Sequence, residues 1–411
     1  MADILTSERQ QRWLSGLIVL YAAVSPVSLS ATNIALGIII LAGSVSLYSA
    51  KVVKKEGFHG KLIVMMSLLF LWSVLTRLLS GSPLDKEAVS NVWEYIPVIL
   101  LPVFLNASNV KKDRVITVLL VSSSIVCFLG ILQYLIPSIV YPFPKQMIRE
   151  HFKGFFSHHL HSGGFYSMTT ILALSLALFW KCSDYRKRYL WLFFILNLSG
   201  LVLTMARSYL ISVPLIMLLL LYVKNWKWFA FGIAAFAVTT TLLLTFPNPV
   251  RIRFETLLDP EYRSNKERVL MWKAAINMAK DHPVVGIGKG NWTKEAKERY
   301  FPPIEKEYDY KIMATAHAHN TYLTVLAETG FIGLLLFLSF WLSVAWGLFS
   351  KLSTLQNGCF DYVLIIGTLG SLGNLFVAGM FENNFGTSVI LLLLSFLIGL
   401  SMGKGEGVAA E

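Results

Sequence analysis

Twelve continuous apolar runs divide the chain, at roughly 13–29, 31–50, 61–80, 91–106, 115–136, 164–181, 188–205, 207–223, 228–246, 320–349, 360–380 and 384–402. A helix needs about 20 apolar residues to cross the hydrocarbon core of a bilayer. These runs are of that order and are continuous rather than alternating, so they carry no β-barrel signature. The pattern therefore predicts an all-α polytopic membrane protein of about twelve transmembrane helices. Helices 1–9 fall in 1–246, a long connection in 247–319, helices 10–12 in 320–402 and a tail in 403–411.

Charge fixes the expected orientation. One set of alternate connections carries Lys51, Lys54 and Lys55; Lys111, Lys112 and Arg114; Lys181, Arg186, Lys187 and Arg188; Lys224 and Lys227; and Lys351. The short connections of the other set are nearly bare, Lys86 being the main exception. The positive-inside rule then puts both termini in the cytoplasm. Two basic connections fall on the outer side, 137–163 and 247–319. Long loops translocate regardless of charge, so neither contradicts the orientation. The polar, basic start, MADILTSERQQRW, runs into an apolar stretch read as a retained first span.

Composition agrees: 55% of residues are hydrophobic and 15% charged, with a mean hydropathy of +0.60. An ordinary soluble domain is excluded. A net charge of +12 could suggest nucleic acid. Much of it is the cytoplasmic lysine and arginine that insertion requires, and no nucleic-acid partner is expected. Cys127, Cys182 and Cys359 are too scattered for a disulfide framework or metal cluster.

The 247–319 connection is partly helical by pattern. Ser264 and Glu267 have the spacing of a capping box. Val269, Trp272, Ile276 and Ala279 recur at helical intervals and Pro283 follows. An amphipathic helix over about 265–280 is predicted, its apolar face on the bundle or on lipid. Arg268 falls in the expected first turn, where a cation is unfavourable unless both it and the helix end face an anion such as phosphate. Glycine-rich VVGIGKGN (284–291) follows no strand and fits no nucleotide fingerprint; a tight turn is expected.

Ionisable residues at membrane depth are expensive. Arg207 lies in LTMARSYLIS at a tight outer turn between two spans, and Arg77, Glu94 and Glu382 fall near outer ends. Glu328 lies about two helical turns below His319. Snorkelling and interhelical pairing compete with function for Arg77, Glu94 and Glu382; Glu328 can pair inside the bundle. Arg207, in a connection of almost no length, points to function. His158, His159 and His161 lack a carboxylate or cysteine that would complete a metal spacing. His317 and His319, two apart on an irregular segment, do not share a helix face, so no joint zinc site is expected. A neutral imidazole at a water–membrane boundary among arginines could act as a general base.

His319, Asn320, nine residues, then Gly330 and Gly333 resemble the H-N-x9-G-x-x-G signature of the O-antigen ligase and polymerase superfamily. LTMARSYL, with Arg207, is similar to that family's arginine segment ahead of the loop. ERVLMWKAAINMAKDHPVVGIG, with Arg268, resembles its loop helix carrying a second arginine. Arg149, followed by KGFFSHHLHSGGFY, matches a further pattern more loosely. The resemblance implies a glycosyltransferase of the bacterial inner membrane, working on the periplasmic face without metal or cofactor and with inversion. The implied donor is a glycan on undecaprenyl diphosphate. The implied acceptor is a lipid A-core sugar hydroxyl or another glycan. His319 is the implied base, and Arg207 and Arg268 the groups that stabilise the diphosphate. His317, Asn320, Arg149 and Arg77 are candidate substrate-binding residues.

An O-antigen ligase is the first reading. A polymerase shares fold, motif and mechanism, and the 137–163 segment keeps it in play. A transporter of lipid-linked sugars is the alternative from another class. It would place charge near the bilayer midplane and show paired repeats, neither of which the sequence displays.

Overall fold

The computed structural model describes residues 8–49, 57–84, 92–106, 108–136, 152–247, 251–252, 255–256, 259–313 and 315–404. Arg149 and Lys86 lie outside the described residues. Among those described there is no strand, and each predicted apolar run falls on a helix. These are α1 (Glu8–Val24), α2 (Leu29–Ser49), α3 (Gly57–Leu79), α4 (Val92–Asn106), α5 (Lys112–Leu135), α6 (His159–Phe179), α7 (Asp184–Leu203), α8 (Arg207–Lys224) and α9 (Trp226–Thr245). The long connection follows, with α10 (Arg263–Asp281), a short α11 (Trp292–Glu295), a π-helical turn (Ala296–Tyr300) and α12 (Phe301–Tyr308). Then come α13 (Thr321–Leu352), α14 (Phe360–Ala378), a 3₁₀ turn (Asn384–Gly386) and α15 (Ser388–Met402). Among the described residues, eight helices are long and apolar enough to cross a membrane: α2, α3, α5, α6, α8, α9, α13 and α14. Helices α4 and α15 are apolar but shorter. The chain is an all-helical, polytopic membrane protein.

Helix α6 is central, buried along almost its whole length and packed on α5, α7, α8, α14 and α15. Its small residues allow this, because helices in lipid associate by close backbone approach and interhelical hydrogen bonds. A Cβ on Gly163 would lie 2.7 Å from Ala206 Cβ, and one on Gly164 2.3 Å from Ile390 Cδ1. Buried polar ties reinforce the packing. Thr169 donates to Asn197 Oδ1 at 2.8 Å, and Asn197 donates to Ser124 at 3.0 Å. Ser212 donates to Asn374 at 2.6 Å, and Asn374 donates to Ser167 at 2.9 Å.

The lysines at the opposite end have a structural use. Lys112 Nζ meets Asp361 Oδ1 at 2.7 Å and the carbonyl of Gly403 at 2.8 Å. Lys351 Nζ donates to the carbonyls of Ser401 and Gly403 at 2.8 and 2.6 Å. Together they satisfy carbonyls that the end of α15 would otherwise leave without partners.

The long connection forms its own small core. Leu270, Met271, Ala274, Ala275 and Met278 of α10 are buried with Ile287, Trp292, Tyr300, Phe301 and Ile304. The predicted apolar stripe is corrected here. Val269 and Ile276 are exposed, because α10 turns the face one residue further round towards α11, α12 and the first turns of α13. The predicted capping box is corrected as well. Helix α10 begins at Arg263 behind Tyr262, which makes no side-chain cap, and Ser264 Oγ is engaged elsewhere. Arg268 consequently sits in the second turn, away from the helix end.

This subdomain docks on a break in α13. Gly330 has φ 67° and ψ −171°, outside helical values. The carbonyls of Ala327 and Glu328 accept from the amides of Ile287 and Gly288 at 2.9 and 3.0 Å, and the Phe331 amide donates to Pro283 at 2.8 Å. A Cβ at Gly330 would stand 2.2 Å from the Val284 carbonyl oxygen. VVGIGKGN is thus a turn, as predicted, with positive φ at Gly286, Gly288 and Gly290. It serves as the seat of the whole subdomain.

Candidate functional site

Four pieces of chain meet where the subdomain joins the bundle: the α7–α8 turn, α10, the segment before α13 and the α14–α15 connection. The α7–α8 turn is three residues long, with Met205 at φ 52°, and it delivers Arg207 as the first residue of α8. The Arg207 guanidinium donates to Ser264 Oγ at 2.9 Å and the Thr256 carbonyl at 3.4 Å, and lies over the Tyr262 ring at 5.5 Å. Ser264 therefore serves Arg207 rather than the helix end. Arg268 follows Ser264 by four residues, so it shares the same face of α10. Its Nη2 lies 3.2 Å from Glu382 Oε2, and its buried Nε has no hydrogen-bond partner among the described residues. The other oxygen, Glu382 Oε1, meets His319 Nδ1 at 2.7 Å.

The histidine segment is held under strain. His319 has φ 49°, a left-handed conformation costing a non-glycine residue roughly 1–2 kcal/mol. Its neighbours hold it there. Asn320 caps α13, its Oδ1 accepting from the Leu323 amide at 2.9 Å while its Nδ2 donates to the Met380 carbonyl at 2.8 Å. The Thr321 amide donates to the Gly379 carbonyl at 2.8 Å, and Thr321 Oγ1 to the Glu382 carbonyl at 3.0 Å. The main chain around 319–321 is thereby zipped to 379–382. The two imidazoles stand edge to face at 4.7 Å, and the His319 amide donates to His317 Nδ1 at 3.2 Å.

Electrostatics follow from burial and crowding. Burial and the His319 charge, with Lys289 and Arg268 adding to them, lower His317 to about 4 despite Glu382. It is neutral at physiological pH. Burial alone would raise the Glu382 carboxyl. The His319 hydrogen bond, followed by electrostatic interaction with His319 and Arg268, outweighs it and holds the group down at about 2. It is ionised throughout the working range.

Donor atoms of His317, His319 and Glu382 lie within 4.8 Å of one another, a spacing that could hold a metal ion. However, both Glu382 oxygens are already engaged, and the Arg268 cation beside one of them opposes a second positive charge.

His158 caps α6, its Nδ1 accepting from the Leu160 amide at 3.2 Å. Burial lowers its pKa, as do Lys153 and His319 more weakly, while the Glu382 charge raises it. The start of α6 is therefore within electrostatic reach of the cluster. Arg77 belongs to a different assembly, donating to Pro83, Lys289 and Asn291 at 3.1, 2.7 and 2.8 Å. Glu328 pairs with the long connection rather than the bundle, meeting Lys289 Nζ at 3.0 Å and the Gly290 amide at 3.1 Å. Both residues secure the 284–291 turn. Arg149 falls outside the described residues. The sequence left Glu382 open between snorkelling or interhelical pairing and function, and did not link it to His319. The available signal was a carboxylate in a short connection between two apolar runs, placed where burial demands a partner.

Fold and site define a polytopic helical membrane protein whose arginines, histidines and one buried carboxylate gather under a small subdomain at one end of the bundle. Residues 192–338 match the family model described as O-Antigen ligase, which supports the resemblance to the O-antigen ligase superfamily. The segment includes Arg207, Arg268, His317, His319, Gly330 and Gly333; Glu382 lies beyond it. No curated protein matches the chain.

Proposed function

We propose that this protein is an O-antigen ligase: an inner-membrane glycosyltransferase that moves a glycan from undecaprenyl diphosphate to a lipid A-core sugar hydroxyl at the periplasmic face. On this reading the twelve helices from α1 to α9 and α13 to α15 span the membrane, and both termini are cytoplasmic. The 247–319 subdomain stands in the periplasm. The single observation that supports it best is the continuous contact from Arg207 through Ser264 and α10 to Arg268, then through Glu382 to His319.

The chemistry needs two things from the protein. A diphosphate leaving group gathers negative charge as the anomeric bond breaks, and Arg207 and Arg268 supply charge-assisted hydrogen bonds to it. The acceptor hydroxyl must lose a proton as it attacks, and His319 takes it. The donor is already activated, so no nucleotide enters. Attack from the face opposite the diphosphate inverts the anomeric carbon. Both substrates carry lipid anchors, which accounts for a base at the membrane boundary.

Complementation of a ligase-deficient strain tests this directly. Wild type restores long-chain lipopolysaccharide on a gel. His319→Ala and Arg207→Ala, at matched expression, do not, since removing a general base costs about 10²–10⁴-fold in rate. A fully active His319→Ala sinks the base assignment. If wild type rescues a polymerase-deficient strain instead, the polymerase of the same superfamily is the correct reading.

A further inference from the structure

Glu382 is 5% exposed and lies in the connection between α14 and α15, outside the segment that matches the family. An ionised carboxylate at that depth is costly unless both oxygens are satisfied. Here they are satisfied by two different groups, His319 on Oε1 and Arg268 on Oε2. Resting on the glycosyl-transfer reading of those two residues, we propose that Glu382 is the positioning residue of the site. It fixes the proton of His319 on Nδ1 and registers the base against the arginine that receives the diphosphate.

The atoms decide which nitrogen acts. An ionised carboxylate has lone pairs only, so the proton between Oε1 and His319 Nδ1 belongs to the imidazole. The neutral ring then carries its lone pair on Nε2, the nitrogen turned away from Glu382. That nitrogen accepts the acceptor hydroxyl's proton as the new C–O bond forms, and the electron pair of the breaking anomeric bond leaves on the diphosphate. The resulting imidazolium is stabilised by Glu382. His317 has the opposite arrangement. Its Nδ1 accepts from the His319 amide, so in the neutral ring Nε2 carries the hydrogen, and it can donate but not abstract. The main chain supports the same geometry, since Thr321 Oγ1 holds the Glu382 carbonyl while His319 is kept at positive φ. An ion pair formed only for stability would not require the strained histidine.

The test is histidine-selective ¹⁵N NMR on full-length protein in nanodiscs, with His319→Asn assigning the resonance. Wild-type His319 shows a protonated Nδ1 and a bare Nε2. Glu382→Ala abolishes that preference, and kcat with undecaprenyl-diphosphate-linked glycan and lipid A-core falls about 10²–10⁴-fold, by analogy with removal of a carboxylate that orients a base. Glu382→Gln keeps the shape and an acceptor for Nδ1–H, so the tautomer survives while kcat drops less than in the alanine variant. Arg268→Ala leaves the tautomer intact and raises the donor KM. A wild-type His319 protonated on Nε2 overturns the proposal without recourse to any variant. So does a Glu382→Ala protein that retains both tautomer and rate. Tautomers that behave as stated in a protein transferring no glycan would support the positioning role while defeating the functional reading.

Discussion

At the scale of single residues, the site depends on partners that fix which atom can act. His317 contributes an acceptor to the His319 amide, and an asparagine Oδ1 can occupy the same place as its Nδ1. His317→Asn should therefore keep transfer within about tenfold of wild type, whereas His317→Ala, leaving a donor unpaired, should lose about 1–3 kcal/mol of stability; thermal unfolding and a transfer assay read the two effects. The acid dependence of folding has a defined sign. Glu382 is held at about 2 against an ordinary 4.5, so its contribution is complete above 4.5 and is lost as pH falls towards 2. His317 is held at about 4 against 6.5. Below 6.5 the unfolded chain takes a proton that the fold refuses, so stability falls again between 6.5 and 4. Melting curves from pH 7 to 3 should show both losses. His317→Asn should remove the upper one and Glu382→Gln the lower. A flat profile in wild type would contradict both assignments.

At the scale of elements, the break in α13 determines whether the site forms. Gly330 is needed twice, for its positive φ and for the close approach of Val284. Gly330→Ala must adopt an essentially glycine-only conformation (φ 67°, ψ −171°), costing about 1–3 kcal/mol for the backbone alone, with a steric overlap against main chain that cannot move aside. Its melting temperature should fall and the 284–291 turn should become accessible to protease, while Gly373→Ala, whose Cβ would find only an ordinary 3.5 Å contact, should behave like wild type. The first glycine of the H-N-x9-G-x-x-G pattern is thereby explained by geometry: His319 and Asn320 lie in the candidate site, and Gly330 seats the subdomain above it. Helix α10 gives the complementary lesson. Its existence and length were legible from periodicity. Its buried face was not, because Val269 and Ile276 satisfy the helical repeat as well as Leu270 and Ala274 do. Only the neighbours α11, α12 and α13 select between the two stripes.

At the scale of the whole molecule, the two ends of the bundle use charge differently. At one end Lys112 and Lys351 close the bundle against Asp361 and the last carbonyls of α15. Breaking the buried pair by Lys112→Met leaves an uncompensated carboxylate and should cost about 3–5 kcal/mol, while replacing both partners, Lys112→Met with Asp361→Leu, should recover most of that loss. Thermal unfolding in detergent separates the cases. If the single substitution costs nothing, the pair is not structural. At the other end, cations face a buried carboxylate and two imidazoles, held in place by the subdomain.

The sequence by itself determined the apolar runs, the helical class and the long connection, and it singled out Arg207, Arg268 and His319 as candidates. Each of these rests on local rules: the length that lipid demands of a helix, the bias of lysine and arginine between connections, and a motif read along the chain. What only the tertiary structure decided is who meets whom. Ser264 has the pattern of a cap yet hydrogen-bonds Arg207. Arg77, read as a candidate substrate-binding residue, and Glu328, read as able to pair inside the bundle, both hold the 284–291 turn. Glu382, sixty-three positions beyond His319, becomes its partner because Asn320 and Thr321 bind the 379–382 backbone. A buried charge is stabilised by whichever opposite group folding brings within about 3 Å, and that pairing depends on distance in space, which no spacing along the chain encodes.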